Sequence, residues 1–77
     1  MANSTRYELF QKALAEARQE KGLTQADVAM RLGKPQSFVS KYESGERRLD
    51  VIEFLEVCEA VSTSAQSILR KVRPQND

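Results

Sequence analysis

Gln36, Ser37, Ser40, Lys41 and Ser44 lie within one stretch of nine residues and carry hydrogen-bonding chemistry without a negative charge. At about 100° per residue, with Val39 turned inward, Ser37, Ser40, Lys41 and Ser44 fall on the opposite face of a helix. Tyr42 falls about 60° and Phe38 about 100° to one side of Val39, forming the apolar flank. A solvated helix face usually mixes Glu with Lys. This face has three small hydroxyls, one lysine and no carboxylate. Such a strip can donate to and accept from a polar partner, and it does not repel an anionic one.

The charge around it is polarised, although the net charge is only +1. Residues 34–48 hold Lys34, Lys41, Arg47 and Arg48 against Glu43 and Glu46. Residues 50–59 hold Asp50, Glu53, Glu56 and Glu59 and no base, an acidic stripe that reads first as a solvated helix face. Histidine is absent and Cys58 stands alone among apolar residues, which leaves no zinc cluster, internal disulfide or common general base. No stretch has the spacing of a glycine-rich phosphate loop. Neither enzymatic activity nor a cofactor is expected, and no small-molecule effector is evident. No apolar run is long enough to span a membrane or to serve as a signal peptide, so no membrane association is expected.

The elements that must position the strip can be read from their ends. Thr5 and Glu8 have capping-box spacing, and Tyr7, Phe10, Leu14 and Ala17 follow one helical face up to a terminator at Gly22. Thr24 and Asp27 form a second capping pair, with Leu23 and Val28 as a hydrophobic staple and Val28, Ala29 and Leu32 as the buried stripe. Gly33 closes that helix. Pro35 suits the first turn of a third helix, which no Ser, Thr, Asp or Asn caps, and Gly45 ends it. Asp50 with Glu53 caps a fourth helix, stapled by Leu49 and Phe54. Its expected core face is Ile52, Leu55, Cys58 and Val61, flanked by Phe54 and Val57. Ser64 caps a fifth helix over residues 65–72, with Ile68, Leu69 and Val72 apolar and Arg70 and Lys71 suited to its negative end. The expectation is one all-α domain over residues 5–73, with residues 1–4 and 74–77 disordered. A chain of 77 residues supports a single small core that buries only about 60% of its unfolded surface.

Residues 23–45, two short helices around a turn containing glycine, have the form that places a helix in the DNA major groove. Around them the chain resembles the phage-repressor and Cro-like, or XRE-type, helix-turn-helix regulators. The resemblance rests on Arg18, the GLTQ run at residues 22–25, Val28 and Ala29, Leu32 and Gly33, and QSFVSKYESG at residues 36–45. It implies a compact five-helix lambda-repressor-like domain that uses its second and third helices on DNA. By resemblance, Gln36, Ser37, Ser40 and Lys41 would contact bases. The chemistry agrees, since Gln suits adenine, Lys suits guanine and a serine hydroxyl suits either. Thr24, Gln25, Lys34, Ser44, Arg47 and Arg48 would contact phosphates. Arg18 and Glu43 match a structural ion pair between the first and third helices. The chain departs from the family pattern at Pro35, where Ser or Thr is frequent, and at Ser62, where Gly is frequent.

The expected function is therefore sequence-specific binding to double-stranded DNA as a transcriptional regulator, most simply a repressor. One short helix makes too few base contacts for typical specific affinities, so a homodimer on a palindromic operator is expected, acting in the cytoplasm at the nucleoid. Its dimer surface is expected around the fifth helix, although the sequence does not isolate it. The competing reading is a protein-interaction module or antitoxin that keeps the fold while DNA binding is secondary or lost.

Overall fold

The computed structural model describes residues 5–73, except for the side chain of Thr5. The expectations for residues 1–4 and 74–77, and the capping role of Thr5, lie outside the described residues. Five helices follow one another, α1 (Thr5–Glu20), α2 (Gln25–Leu32), α3 (Gln36–Ser44), α4 (Val51–Val61) and α5 (Ala65–Val72), with no strand among the described residues. No helix among the described residues is long and apolar enough to cross a membrane.

The ends form as local chemistry dictates. Thr24 Oγ1 accepts from Asp27 N at 3.0 Å, and Asp27 Oδ2 accepts from Thr24 N at 2.8 Å. Asp50 and Glu53 make the same reciprocal pair at the start of α4. Each satisfies two backbone donors that a helix otherwise leaves unpaired. Gly33 ends α2 at φ +68, and Lys34 N donates to Ala29 O across it at 3.0 Å. A residue with a Cβ is strained in that conformation. Gly45 ends α3 at φ +91, and that conformation is what calls for glycine, since the Cβ it lacks would meet only the end of the Gln11 side chain, which can turn aside. Pro35 sits one position earlier than expected. It is the residue before α3, extended at φ −70 and ψ 156, and no side chain caps the helix.

Ser62, at a position where glycine is frequent in the family the chain resembles, takes the left-handed conformation, with φ 65 and ψ 42. The turn closes despite the side chain, Thr63 N donating to Cys58 O at 3.0 Å. A left-handed residue with a Cβ costs energy that glycine avoids, partly offset by the greater freedom of an unfolded glycine. Ser62→Gly should therefore raise stability by about 0.5–1 kcal/mol, read as a higher urea midpoint at an unchanged slope. A lower midpoint would contradict this account of the turn.

The core gathers Ala13, Leu14 and Ala17 from α1, Val28 and Ala29 from α2, and Phe38, Val39 and Tyr42 from α3, with Ile68 from α5. From α4 it takes Phe54, Val57, Cys58, Ala60 and Val61. The expected core face of α4 is thus corrected. Cys58 and Val61 are buried, but Ile52 and Leu55 are 63% and 41% exposed, and Val51 is exposed beside them. Leu69 on α5 is also exposed, while Ile68 carries that helix into the core. The cause is phase. α4 packs against α2 and α5, so its buried arc is centred on Phe54, Val57 and Val61. Burial, with the Glu59 charge second, pushes the Cys58 thiol up from its ordinary value.

Candidate nucleic-acid interface

α3 is held at both flanks. On one side Arg18 reaches from α1: Nε donates to Glu43 Oε2 at 2.8 Å, Nη2 to Glu43 Oε1 at 3.0 Å, and Nη1 to Leu23 O at 2.8 Å. The two side chains are 12% and 8% exposed, so the pair is largely out of water. The hydrogen bond that Arg18 donates to Glu43 raises its pKa further, against the cost of burial. Glu43 is the one carboxylate of α3, and this pairing turns it away from the exposed strip. Gln25 completes the arrangement. Its Nε2 donates to Glu43 Oε1 at 3.0 Å, and its Oε1 accepts a long bond from Gln36 Nε2 at 3.5 Å. The first residue of α2 is thereby linked to the first residue of α3.

Tyr42, 2% exposed, packs edge-on against Phe38 beneath the strip. Burial, then the charge of Glu43, raises its pKa, so it remains a neutral phenol at ordinary pH.

The other flank is built around Phe38. The Lys34 Nζ lies 5.2 Å and the Arg47 guanidinium 4.8 Å from its ring centroid, within cation–π range. Arg47 also forks onto Glu53, with Nη1 donating to Oε1 at 3.0 Å and Nη2 to Oε2 at 2.9 Å. Glu53 is therefore not merely part of a solvated stripe, because it caps α4 and holds the α3–α4 loop at once. Arg48 stacks 4.1 Å over the Tyr7 ring, and the Tyr7 hydroxyl accepts from Leu49 N at 3.3 Å.

Of the residues expected at bases, Gln36, Ser37 and Lys41 are exposed and Ser40 is half-buried. Of those expected at phosphates, Thr24, Lys34, Ser44 and Arg48 are exposed, while Gln25 and Arg47 are half-buried. Some already have local work. Thr24 caps α2, and Ser44 Oγ donates to Lys41 O at 3.2 Å while accepting from Glu46 N at 3.4 Å. The Arg47–Glu53 fork and the gathering of Lys34 and Arg47 over Phe38 are not apparent in the sequence. Lys34 stands four residues before Phe38, a spacing that could have signalled its contact, but Arg47 arrives from beyond the helix end and gave no such signal.

The fork makes a pH prediction. The Arg47 hydrogen bond, followed by the Asp50 backbone amide, holds the Glu53 carboxyl at about 2, below its ordinary 4.5. A depressed folded-state pKa contributes stability above the unfolded value, and that contribution fades as pH falls toward the folded value. Urea midpoints should therefore drop as pH falls from about 4.5 toward 2. Glu53→Gln should flatten that limb, leaving a smaller slope from Asp27, whose pKa is lowered chiefly by Thr24. An acid limb as steep in Glu53→Gln as in the parent would contradict the fork.

Comparison with known proteins gives a consistent picture. A family model described as helix-turn-helix matches residues 14–68. A curated protein of Sinorhizobium fredii, named uncharacterized HTH-type transcriptional regulator y4dJ, is 42% identical over 50 residues, 65% of each chain. The match thus spans just under two thirds of that relative's length. Among solved structures, an XRE-family like protein from Pseudomonas syringae pv. tomato is 49% identical, with a TM-score of 0.84 over 90% of this chain and 84% of that one. The clp gene regulator ClgR from C. glutamicum shares the fold at 24% identity, with a TM-score of 0.80 over 87% of each chain.

Proposed function

This chain belongs to the XRE-type helix-turn-helix regulators, and on that premise we propose that it represses transcription by reading the major groove of duplex DNA with α3, as a homodimer on a palindromic operator. The observation that carries the reading is the strip itself. Gln36, Ser37 and Lys41 are exposed on a helix whose one carboxylate is paired with Arg18. With Ser40, they are assigned to base edges. Lys to guanine O6 and N7 and Gln to adenine N6 and N7 are the favoured pairings. Thr24, Gln25, Lys34, Ser44, Arg47 and Arg48 are assigned to phosphates on either side. The uncapped start of α3 adds free amides and the positive end of the helix dipole.

The test is a footprint on the DNA upstream of its own gene, followed by a salt titration on the protected site. Two protected half-sites with centres about 34 Å apart are expected. With six or more phosphate contacts, affinity should fall by on the order of 10³ between 50 and 200 mM salt. Binding that is undetectable at low salt, or indifferent to salt, would sink the proposal in favour of a protein-interaction module or antitoxin.

A further inference from the structure

Between α1, the loop after α3, α4 and α5 lies an open cavity of about 490 Å³. Small-molecule sites are clefts of about 300–1,000 Å³, apolar apart from a few convergent polar groups. The floor of this one is aromatic. The Tyr7 and Phe10 ring centroids stand 5.3 Å apart, and those of Phe10 and Phe54 another 5.3 Å, each pair tilted. Rings at that spacing and tilt present edges and faces that a further ring can join on the same terms. Val51 from α4 and Leu69 from α5, both exposed, add apolar walls.

The rim supplies the charge. Arg6 and Arg48 both line the cavity and both are exposed. Arg6 is tied to α5 through Nε, which donates to Val72 O at 2.9 Å. Arg48 lies 4.1 Å over the Tyr7 ring, and no carboxylate among the described residues pairs with it. Asp50, the one carboxylate in the lining, is engaged in the α4 cap, where its Oδ1 accepts from Glu53 N at 2.8 Å. Two guanidiniums against one carboxylate leave a single positive charge, which matches a monoanion. Guanidinium forks suit the paired oxygens of a carboxylate. The Tyr7 hydroxyl accepts from Leu49 N at 3.3 Å and keeps a proton to donate to the same group.

We propose that this cavity binds a small aromatic carboxylate, with its ring on Tyr7, Phe10 and Phe54 and its charge between Arg6 and Arg48. The sequence shows no such site because α1, the loop, α4 and α5 bring its parts together only in the fold. Occupancy has a consequence for DNA, which rests on the groove reading above. Arg48 is assigned there to a phosphate, so an acid that holds its guanidinium withdraws it from the duplex. The bound acid is then a negative effector, and by linkage DNA weakens acid binding by the same factor.

Isothermal titration calorimetry of the full chain with 2-naphthoate tests the site. One acid per chain should bind with a Kd below about 1 mM. The neutral alcohol 2-naphthylmethanol should bind about 10-fold more weakly for lack of the charge, and decanoate more weakly for lack of a ring. Arg6→Gln, and Val51→Glu with its carboxylate in the wall, should each weaken 2-naphthoate by about 10-fold or more. Met30→Glu, on α2 and outside the cavity, should not. All three positions are exposed, and thermal melts by circular dichroism verify that the variants fold. The absence of saturable binding would overturn the proposal, as would equal binding of the alcohol or tighter binding of decanoate. A Kd that rises with protein concentration would also overturn it and give the cavity to a second copy of the chain. Anisotropy on operator duplex then tests the effector. Saturating 2-naphthoate should raise the operator Kd about 5-fold in the parent and in Met30→Glu. The same acid concentration should leave Val51→Glu at its acid-free value. Acid that binds the parent without shifting its operator Kd would overturn the effector role. The two readings fail separately: a chain that binds the acid but no duplex would overturn the groove reading alone, and one that binds duplex but no acid would overturn this one alone.

Discussion

Arg18→Ala should destabilise the fold by about 3 kcal/mol. The guanidinium makes three bonds of 3.0 Å or less, two to Glu43 and one to Leu23 O. Removing it leaves a carboxylate whose side chain is 8% exposed. Breaking a largely buried pair from one side costs far more than the pair itself contributes, because the remaining charge has lost both water and partner. Gln25 Nε2 still donates to Glu43 after the change, which holds the expected loss at the lower end of the usual 3–5 kcal/mol range. Two controls separate this from simple loss of packing. Arg18→Met keeps the stem and should be almost as damaging. Arg18→Met combined with Glu43→Leu removes both charges and should recover most of the stability. Urea denaturation at neutral pH measures all three. An unchanged midpoint in Arg18→Ala would mean that Glu43 finds water, and that the pair does not brace α3.

The Arg18–Glu43 pair was legible in the sequence only through family resemblance, because 25 residues separate the partners and no local spacing connects them. The helix ends were legible from residues alone. The Thr24–Asp27 and Asp50–Glu53 capping boxes are chemistry within one turn, and Gly33 and Gly45 end their helices in the left-handed conformation that glycine favours. The faces of α3 were legible as well, since Phe38, Val39 and Tyr42 are its only large apolar residues and leave one choice of phase.

α4 is the opposite case. Val51, Ile52, Phe54, Leu55, Val57, Cys58, Ala60 and Val61 make it apolar almost all round, so periodicity fits several phases about equally. Packing against α2 and α5 selects the arc through Phe54, Val57 and Val61 and leaves Ile52 and Leu55 outside. The excess of apolar residues was visible in the sequence. That it belonged to a surface was not, because only the positions of the neighbouring helices decide it. Arg47 is a similar case: its fork to Glu53 closes across a loop, where neither a period of 3.6 nor a cap rule applies.

Lys41→Ala should reduce discrimination at one base pair of the operator by about 1–3 kcal/mol while leaving the fold intact. Lys41 is exposed and makes no side-chain hydrogen bond within α3, so its removal strands no partner. On the proposed docking, its long stem would carry the ammonium past the serines beside it to a guanine edge. Arg48→Ala is the matched contrast. Arg48 sits in the loop after α3, stacked on Tyr7, and is proposed to meet a phosphate rather than a base. Its loss should weaken all sequences about equally and reduce the salt slope by about one unit. The measurement is a competition assay of both variants against operators altered one base pair at a time, at two salt concentrations. Lys41→Ala should flatten the preference at a single position in each half-site. Arg48→Ala should preserve every preference at lower affinity. If Lys41→Ala left both affinity and site preference untouched, α3 would not lie in the groove with this face, and Gln36, Ser37 and Ser40 would lose their assignment with it.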